Sequence, residues 1–368
     1  MIVYVVAGYP ILVRWRAKAQ TRAVQKARME PTVTAIVAVH NGGHYLRAKL
    51  DSLLALDYPR DKFDIMVVSD GSTDDTEAIA QSYTPHQRVK LLRIPKGGKC
   101  AALNAAIPTA TGEILLLTDV RQVVEPASLR YLVENFADAQ VGAVSGELII
   151  QRGSGGAEAD IGAYWRFETW LRDTLAGMDS MIGATGPFYC LRRSLAVPVP
   201  PDTLLDDMYL PLKGAFFTGH RLAMERRARA YDPPMPLATE FRRKVRTLAG
   251  NWQLLQLLPE LLSRQNRMLW HYASYKLGRL LLPWLMAAFF LLSLVTPWPW
   301  NALLAGPQVL FYAAGVLARY LPDATPGKRH LSPVVTFLTM MWASVLAIQV
   351  FFVRPADLWS VTSARPKS

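Results

Sequence analysis

The chain has 368 residues, 51% of them hydrophobic, with 41 Lys and Arg against 29 Asp and Glu and a formal net charge of +12. This excludes a disordered polymer, a collagen-like repeat and a disulfide-stapled mini-domain, and the two cysteines, Cys100 and Cys190, fit a reduced compartment. Charge is unevenly spread: between 280 and 353 the only charged residues are Arg319, Asp323, Lys328 and Arg329, so a water-soluble body precedes an apolar tail.

At the start, 1–13 is uncharged and short for a bilayer span. Six basic residues follow, Arg14, Arg16, Lys18, Arg22, Lys26 and Arg28. A secretory signal would carry its charge ahead of the apolar stretch. The segment reads as the end of a membrane anchor whose start is missing, or as an interfacial helix on anionic lipid, with 14–30 as a basic cytoplasmic linker.

From residue 31, short apolar runs alternate with helical stretches. Strands are predicted over 33–39, 64–69, 89–93, 113–118 and 142–150, and helices over 45–56, 99–106 and 127–136; Asp74 and Asp75 mark a further helix start. The alternation predicts an α/β domain over 31–250, a mostly parallel sheet with helices on both faces. Ligands of such sheets lie beyond the carboxyl ends of the strands. Three polar breaks fall there: His40-Asn41, Asp70-Gly71-Ser72 and Asp119. The string PKGGK adds Lys96 and Lys99 around two glycines. Together they suit a nucleotide, with Asp70 for base or ribose, Asp119 for a divalent cation on the diphosphate and the lysines for phosphate. His40, at the first strand end, reads as a solvated or capping residue or as a contact to the base. The GxxxxGK[ST] and GxGxxG strings are missing, which argues against an NTPase and an NAD enzyme.

Aromatic residues at helical spacing over 160–175, Tyr164 and Trp165 among them, read as core, as an interfacial face or as a surface for acceptor stacking. The Leu-rich 251–262 is expected on the membrane surface, within an interfacial region 251–279. Three membrane helices are predicted within 280–353, over 280–296, 302–317 and 331–353, the first two joined by Pro297-Trp298-Pro299-Trp300, with 354–368 as a tail. If 1–13 also crosses, the body is cytoplasmic. Arg319, Lys328 and Arg329 agree with that orientation, while Arg354, Arg365 and Lys367 oppose it. The histidines form no metal pattern. The basic excess is assigned to the membrane flanks and a diphosphate crevice, not to nucleic acid.

The blocks VTAIVAVHNG, VVSDGSTDDT, GGKCAALNAA, GEILLLTD, GPFYCLRR, LLDDMYLPL and FRRKVRTLAGN, in this order, resemble the family-2 membrane glycosyltransferases, which include cellulose, chitin, hyaluronan and N-acetylglucosamine-polymer synthases. The resemblance covers roughly 31–278. It implies a GT-A fold with transmembrane helices in a bacterial-type inner membrane. It implies inverting transfer from a nucleotide-diphosphate sugar, UDP-sugar favoured, to a glycan or lipid-linked acceptor. Asp70 then matches the nucleoside-holding aspartate, with His40 and Asn41 beside the donor. Lys99 matches a donor-binding lysine, and Asp119 the first aspartate of a DxD that binds Mg2+ or Mn2+. Asp207 matches the catalytic base, with Asp206 before it. Arg243, Arg246 and Thr247 fall where the family carries QxxRW, which closes over donor and acceptor. Without the resemblance, Asp206-Asp207 reads as a helix N-terminal pair.

The departures are specific. DxD reads Asp119-Val120-Arg121. Either Arg121 neutralises the diphosphate directly, or Asp119 and a later group still bind the cation, or the transferase is weakened or inactive. Arg243 replaces Gln and Thr247 replaces Trp, which removes the indole a processive synthase sets beside its acceptor. Gly42 follows Asn41 where an acid is usual. Three functions follow: a synthase for extracellular polysaccharide, a non-processive transferase acting on a glycolipid or polyprenyl-linked sugar, and a non-catalytic nucleotide-sugar-binding regulator.

Overall fold

The computed structural model describes residues 1–86, 88–151, 157–233, 237–318, 320–322, 325 and 328–360, without the side chains of 157–164, 237–238, 329, 356 and 359–360. The chain divides into two compact units, 13–151 with 169–234, and 1–12 with 152–168 and 235–368.

Among the described residues the first unit is built on eight strands: β1 (Val33–Val39), β2 (Phe63–Asp70), β3 (Val89–Ile94), β4 (Ile114–Thr118), β5 (Val123–Val124), β6 (Val141–Ile150), β7 (Phe188–Arg192) and β8 (Arg221–Asp232). Their order is β3-β2-β1-β4-β7-β6-β8-β5. Val33, Ala35, Ile36, Val37 and Val39 of β1 are all buried, as a strand covered on both faces requires. Each buried valine or isoleucine among them is worth about 1.5–3 kcal/mol. Helices α1 (Tyr9–Ala19), α2 (Gly43–Leu54), α3 (Thr76–Tyr83), α4 (Gly98–Ala106) and α5 (Ser128–Glu134) lie within two residues of the sequence expectation wherever one was made.

The sheet is mostly parallel, as expected, with two of its strands reversed. β1, β2, β3 and β4 pair in parallel, as do β6 and β8, but β7 runs antiparallel between β4 and β6, and β5 antiparallel to β8. The reversal has a consequence for the site. Thr118 pairs with Phe188, so the segment just before β7 arrives at the carboxyl end of β4. The basic segment expected as a linker is docked along this unit. Arg22 pairs with Asp179 at 2.8 Å and Lys26 with Glu225 at 2.6 Å.

The second unit is helical. Among the described residues, three of its helices are long and apolar enough to cross a membrane: Leu269–Leu294, Trp300–Leu317 and His330–Phe351. The first begins well before the expected residue 280. Phe290 meets Tyr312, and Phe311 meets Phe337, edge to face at 6.2 and 5.8 Å. Outward-facing Leu291, Leu292, Leu310 and Val316 are exposed, the kind of surface a bilayer covers. The N-terminal residues lean on the first of these helices through Tyr4 Oη to Ser274 Oγ (2.7 Å) and Tyr9 Oη to His271 Nδ1 (3.1 Å). Helix α8 (Leu237–Leu257 in the chain, following α6, Ala157–Met178, and α7, Asp206–Gly214) precedes them. Leu254, Leu258 and Leu261 of the Leu-rich stretch are fully buried. These three leucines pack against protein, while Leu262 is exposed.

Candidate active site

The loops after β1 and β2 are knitted together by the residues expected to hold the donor. His40 Nδ1 lies 2.7 Å from the Asp70 carbonyl oxygen. Asn41, at φ 51°, accepts the Thr73 N–H on its Oδ1 at 2.8 Å and donates its own N–H to Ser72 Oγ. The buried Asp70 carboxylate accepts the N–H groups of Gly97 (2.7 Å) and Gly98 (2.9 Å). It caps α4, where the helix dipole and unpaired amides favour a negative charge, and so fixes where Lys99 leaves the helix. Gly71 sits at φ 58°, and a β-carbon there would stand 2.8 Å from the Lys96 nitrogen, so this turn needs glycine.

Lys99 is the centre of the cluster. Its Nζ lies 2.9 Å from Asp119 Oδ1 and 3.0 Å from Asp206 Oδ2. Burial works against its charge, but Asp119 and Asp206 overcome it and hold the ammonium above its ordinary value. Asp206 and Asp207 open α7, after Leu205. Burial, then the Asp206 charge, push the Asp207 carboxyl up to about 6, against Lys99 and Arg172. Asp207 rests on Gly186: a β-carbon there would stand 2.8 Å from its Oδ2. Arg172 donates to Thr185 Oγ1 at 2.9 Å. Beneath the carboxylates lies Tyr189, fully buried, its hydroxyl without a hydrogen-bond partner among the described residues. Burial, then Asp206, Asp207 and Asp119, keep that phenol protonated.

Arg121, two residues after Asp119, pairs with Asp232 at 2.7 Å, and Gln122 Nε2 donates to the other oxygen of Asp232 at 2.9 Å. Lys49 lies under the same turn with no exposed surface. Its Nζ donates to Thr118 Oγ1 (2.6 Å) and to the Gln122 carbonyl (2.8 Å). Burial pulls this ammonium down to about 7, against the nearby Asp119 charge. Among the described residues no three His, Cys, Asp or Glu side chains gather to hold a metal. The donor set instead fits a cation shared with a diphosphate, since Mg2+-type ions are commonly held by one or two carboxylates plus substrate phosphates. Asp119 is the carboxylate so placed.

The structure thus gathers Asp119, Asp206 and Asp207 around Lys99, and puts His40, Asn41 and Asp70 into the loops beside α4. Arg243, Arg246, Thr247 and Trp165 belong to the other unit. There Arg243 Nε stands 3.6 Å from Glu240, Thr247 Oγ1 donates to the Arg243 carbonyl at 2.9 Å, Arg246 is half-buried, and Lys244 lies over the Trp165 ring at 5.6 Å. Tyr164 is outside the described side chains. Sequence reasoning missed Lys49, Arg172, Gly186, Tyr189 and Asp232. One signal was available: Lys49 falls between Leu46, Leu50 and Leu53 on the apolar stripe of α2, where a charge is out of pattern.

Residues 34–196 match the model of the glycosyl transferase family 2. The chain carries a family 2 glycosyltransferase domain. Over 118 residues the chain is 32% identical to a beta-monoglucosyldiacylglycerol synthase of Nostoc sp. (strain PCC 7120), covering 31% of this chain and 25% of that one. Over 233 residues it is 26% identical to a poly-beta-1,6-N-acetyl-D-glucosamine synthase of Staphylococcus aureus (strain COL), covering 60% and 52%. The chain spans between a quarter and about half the length of these curated relatives. A solved mannosyltransferase, PcManGT of Pyrobaculum calidifontis in complex with GDP-Man and Mn2+, aligns with a TM-score of 0.70 at 24% identity, over 95% of this chain and 97% of that one. The family 2 domain therefore has the GT-A fold, in a chain with three helices suited to a membrane.

Proposed function

We propose that the protein is a membrane-integral, inverting glycosyltransferase that moves a sugar from a nucleotide-diphosphate donor to a glycan or lipid-linked acceptor at the cytoplasmic face of the bilayer. The observation that carries this reading is the Lys99 ammonium held between Asp119 and Asp206, with Asp207 beside them, inside a family 2 domain. In this reading Lys99 turns its charge to the donor diphosphate, whose leaving oxygen gains negative charge as the glycosidic bond breaks. Asp207 takes the proton of the acceptor hydroxyl as that oxygen attacks the anomeric carbon. A carboxyl raised to about 6 is ionised at neutral pH, yet more basic than an ordinary aspartate. The Asp70 cap fixes the backbone against which the nucleoside lies. A divalent cation, Mg2+ or Mn2+, would be held by Asp119 and would neutralise charge on the diphosphate. Arg121 is committed to Asp232, which favours the cation over Arg121 as the neutralising group.

A second reading is favoured by Thr247. Its hydroxyl bonds back to the Arg243 carbonyl within α8, and no indole stands at that position to stack a growing glycan. Single transfer to a lipid acceptor fits this better than processive polymerisation.

The test is release of free nucleoside diphosphate from a panel of UDP- and GDP-sugars by membranes carrying the protein. Turnover of one donor with a lipid extract supports the reading. Nucleotide binding without turnover of any donor supports the regulator instead, and no release above control membranes contradicts the transferase.

A further inference from the structure

We propose that Lys49 is a positioning residue that holds the turn carrying Asp119 from beneath and couples it, through Thr118, to the segment that backs Asp207. A lysine buried on the apolar stripe of a helix is costly unless its charge is hydrogen-bonded. Lys49 is fully buried, and both of its bonds go to the same turn: to the Thr118 hydroxyl, just before Asp119, and to the Gln122 carbonyl, three residues after it. Leu46, Leu50 and Leu53, also fully buried, fix α2 on either side, so the ammonium is delivered from a rigid element. Thr118 relays the contact. Its hydroxyl accepts from Lys49 and donates to the Pro187 carbonyl at 2.8 Å. Pro187 follows Gly186, the floor under the Asp207 carboxylate, and its carbonyl also accepts the Asp119 N–H at 3.3 Å. One buried ammonium thereby ties the two carboxylates of the site to a common frame, without touching a substrate itself.

The inference rests on the proposed donor role of Asp119 and base role of Asp207. Lys49→Met and Thr118→Val are compared with the wild type in the full chain in detergent, by calorimetric binding of UDP and GDP, donor KM and kcat, and Tm. The expected result is a tenfold or greater rise in nucleotide Kd and donor KM in both variants. Thr118→Val keeps its shape and decides the matter if Lys49→Met does not fold. Unchanged Kd and KM overturn the inference, as does a fall in kcat that only tracks a fall in Tm. Failure of the underlying reading looks different: the wild type would then bind neither nucleotide, and Asp119→Asn would change nothing.

Discussion

Arg121 and Asp232 form an ion pair at 2.7 Å, with both side chains largely out of solvent. The position that would supply a second metal-binding carboxylate supplies a cation instead, and that cation is spent on the end of β8. Removing it takes the guanidinium from a buried carboxylate that also accepts from the amide of Gln122. Arg121→Met should therefore cost about 3 kcal/mol, the scale for stranding one member of a buried pair. Arg121→Asp should cost more, because it sets two carboxylates together. Thermal unfolding in detergent measures both. An Arg121→Asp variant that is as stable as wild type and more strongly activated by Mn2+ would contradict this account of the pair.

Gly186 is required by Asp207. A β-carbon at 186 would stand 2.8 Å from Oδ2 and 3.1 Å from Cγ of the aspartate, so Gly186→Ala must displace the carboxylate. The expected outcome is a tenfold or greater loss of kcat with nucleotide Kd unchanged, at a stability cost of about 1–3 kcal/mol. Steady-state kinetics alongside calorimetry checks it; a fall in nucleotide affinity with normal kcat would place the glycine elsewhere in the mechanism.

Asp207 titrates high in the folded protein, up to about 6, because of burial and then the Asp206 charge. The folded state binds this proton more tightly than the unfolded state. Its stabilising contribution is therefore fully present below the ordinary aspartate range and is lost as pH rises through about 6. Activity has the opposite sign: the base must be ionised, so kcat/KM should climb with pH and level off above about 6. Asp207→Asn should raise Tm at neutral pH by removing a buried charge beside Asp206. A pH–rate profile flat from 5 to 8 would remove Asp207 as the base.

Tyr189 buries a hydroxyl that bonds to no described residue. Leaving such a group unsatisfied costs about 1–3 kcal/mol, so Tyr189→Phe should raise the stability of the ligand-free protein by about 1 kcal/mol. Denaturation with and without nucleotide checks this. A loss of stability would show that the hydroxyl has a partner in the folded protein.

Much of the domain was legible because its strands are buried on both faces. Runs such as 33–39 and 113–118 leave no competing pattern, and polar residues at their carboxyl ends announce a crevice. What stayed hidden is β7 itself, for which the sequence reading held no strand, and its direction, since a five-residue apolar strand carries no signal of parallel or antiparallel pairing. The role of Asp70 was half legible: its place at a strand end was readable, but its bonds to Gly97 and Gly98 depend on how the β2–β3–α4 connection folds back. Arg121 was noticed as an oddity. Its partner, 111 residues away, could not be inferred from a local window. Lys49 was passed over because a helical period in leucines draws attention from the charge lying among them. The burial of Leu254, Leu258 and Leu261 was not legible for a similar reason, as a Leu-rich helix packed on protein and one laid on lipid share a composition.

The most direct measurement of the central claim is donor turnover by wild type and Asp207→Asn, with nucleotide binding measured on the same preparations. The account predicts that wild type releases nucleoside diphosphate from at least one UDP- or GDP-sugar, and that Asp207→Asn binds the same nucleotide with unchanged affinity while turnover falls by about 10²–10⁴-fold, the range expected for losing a general base. Near-normal turnover by Asp207→Asn would contradict it.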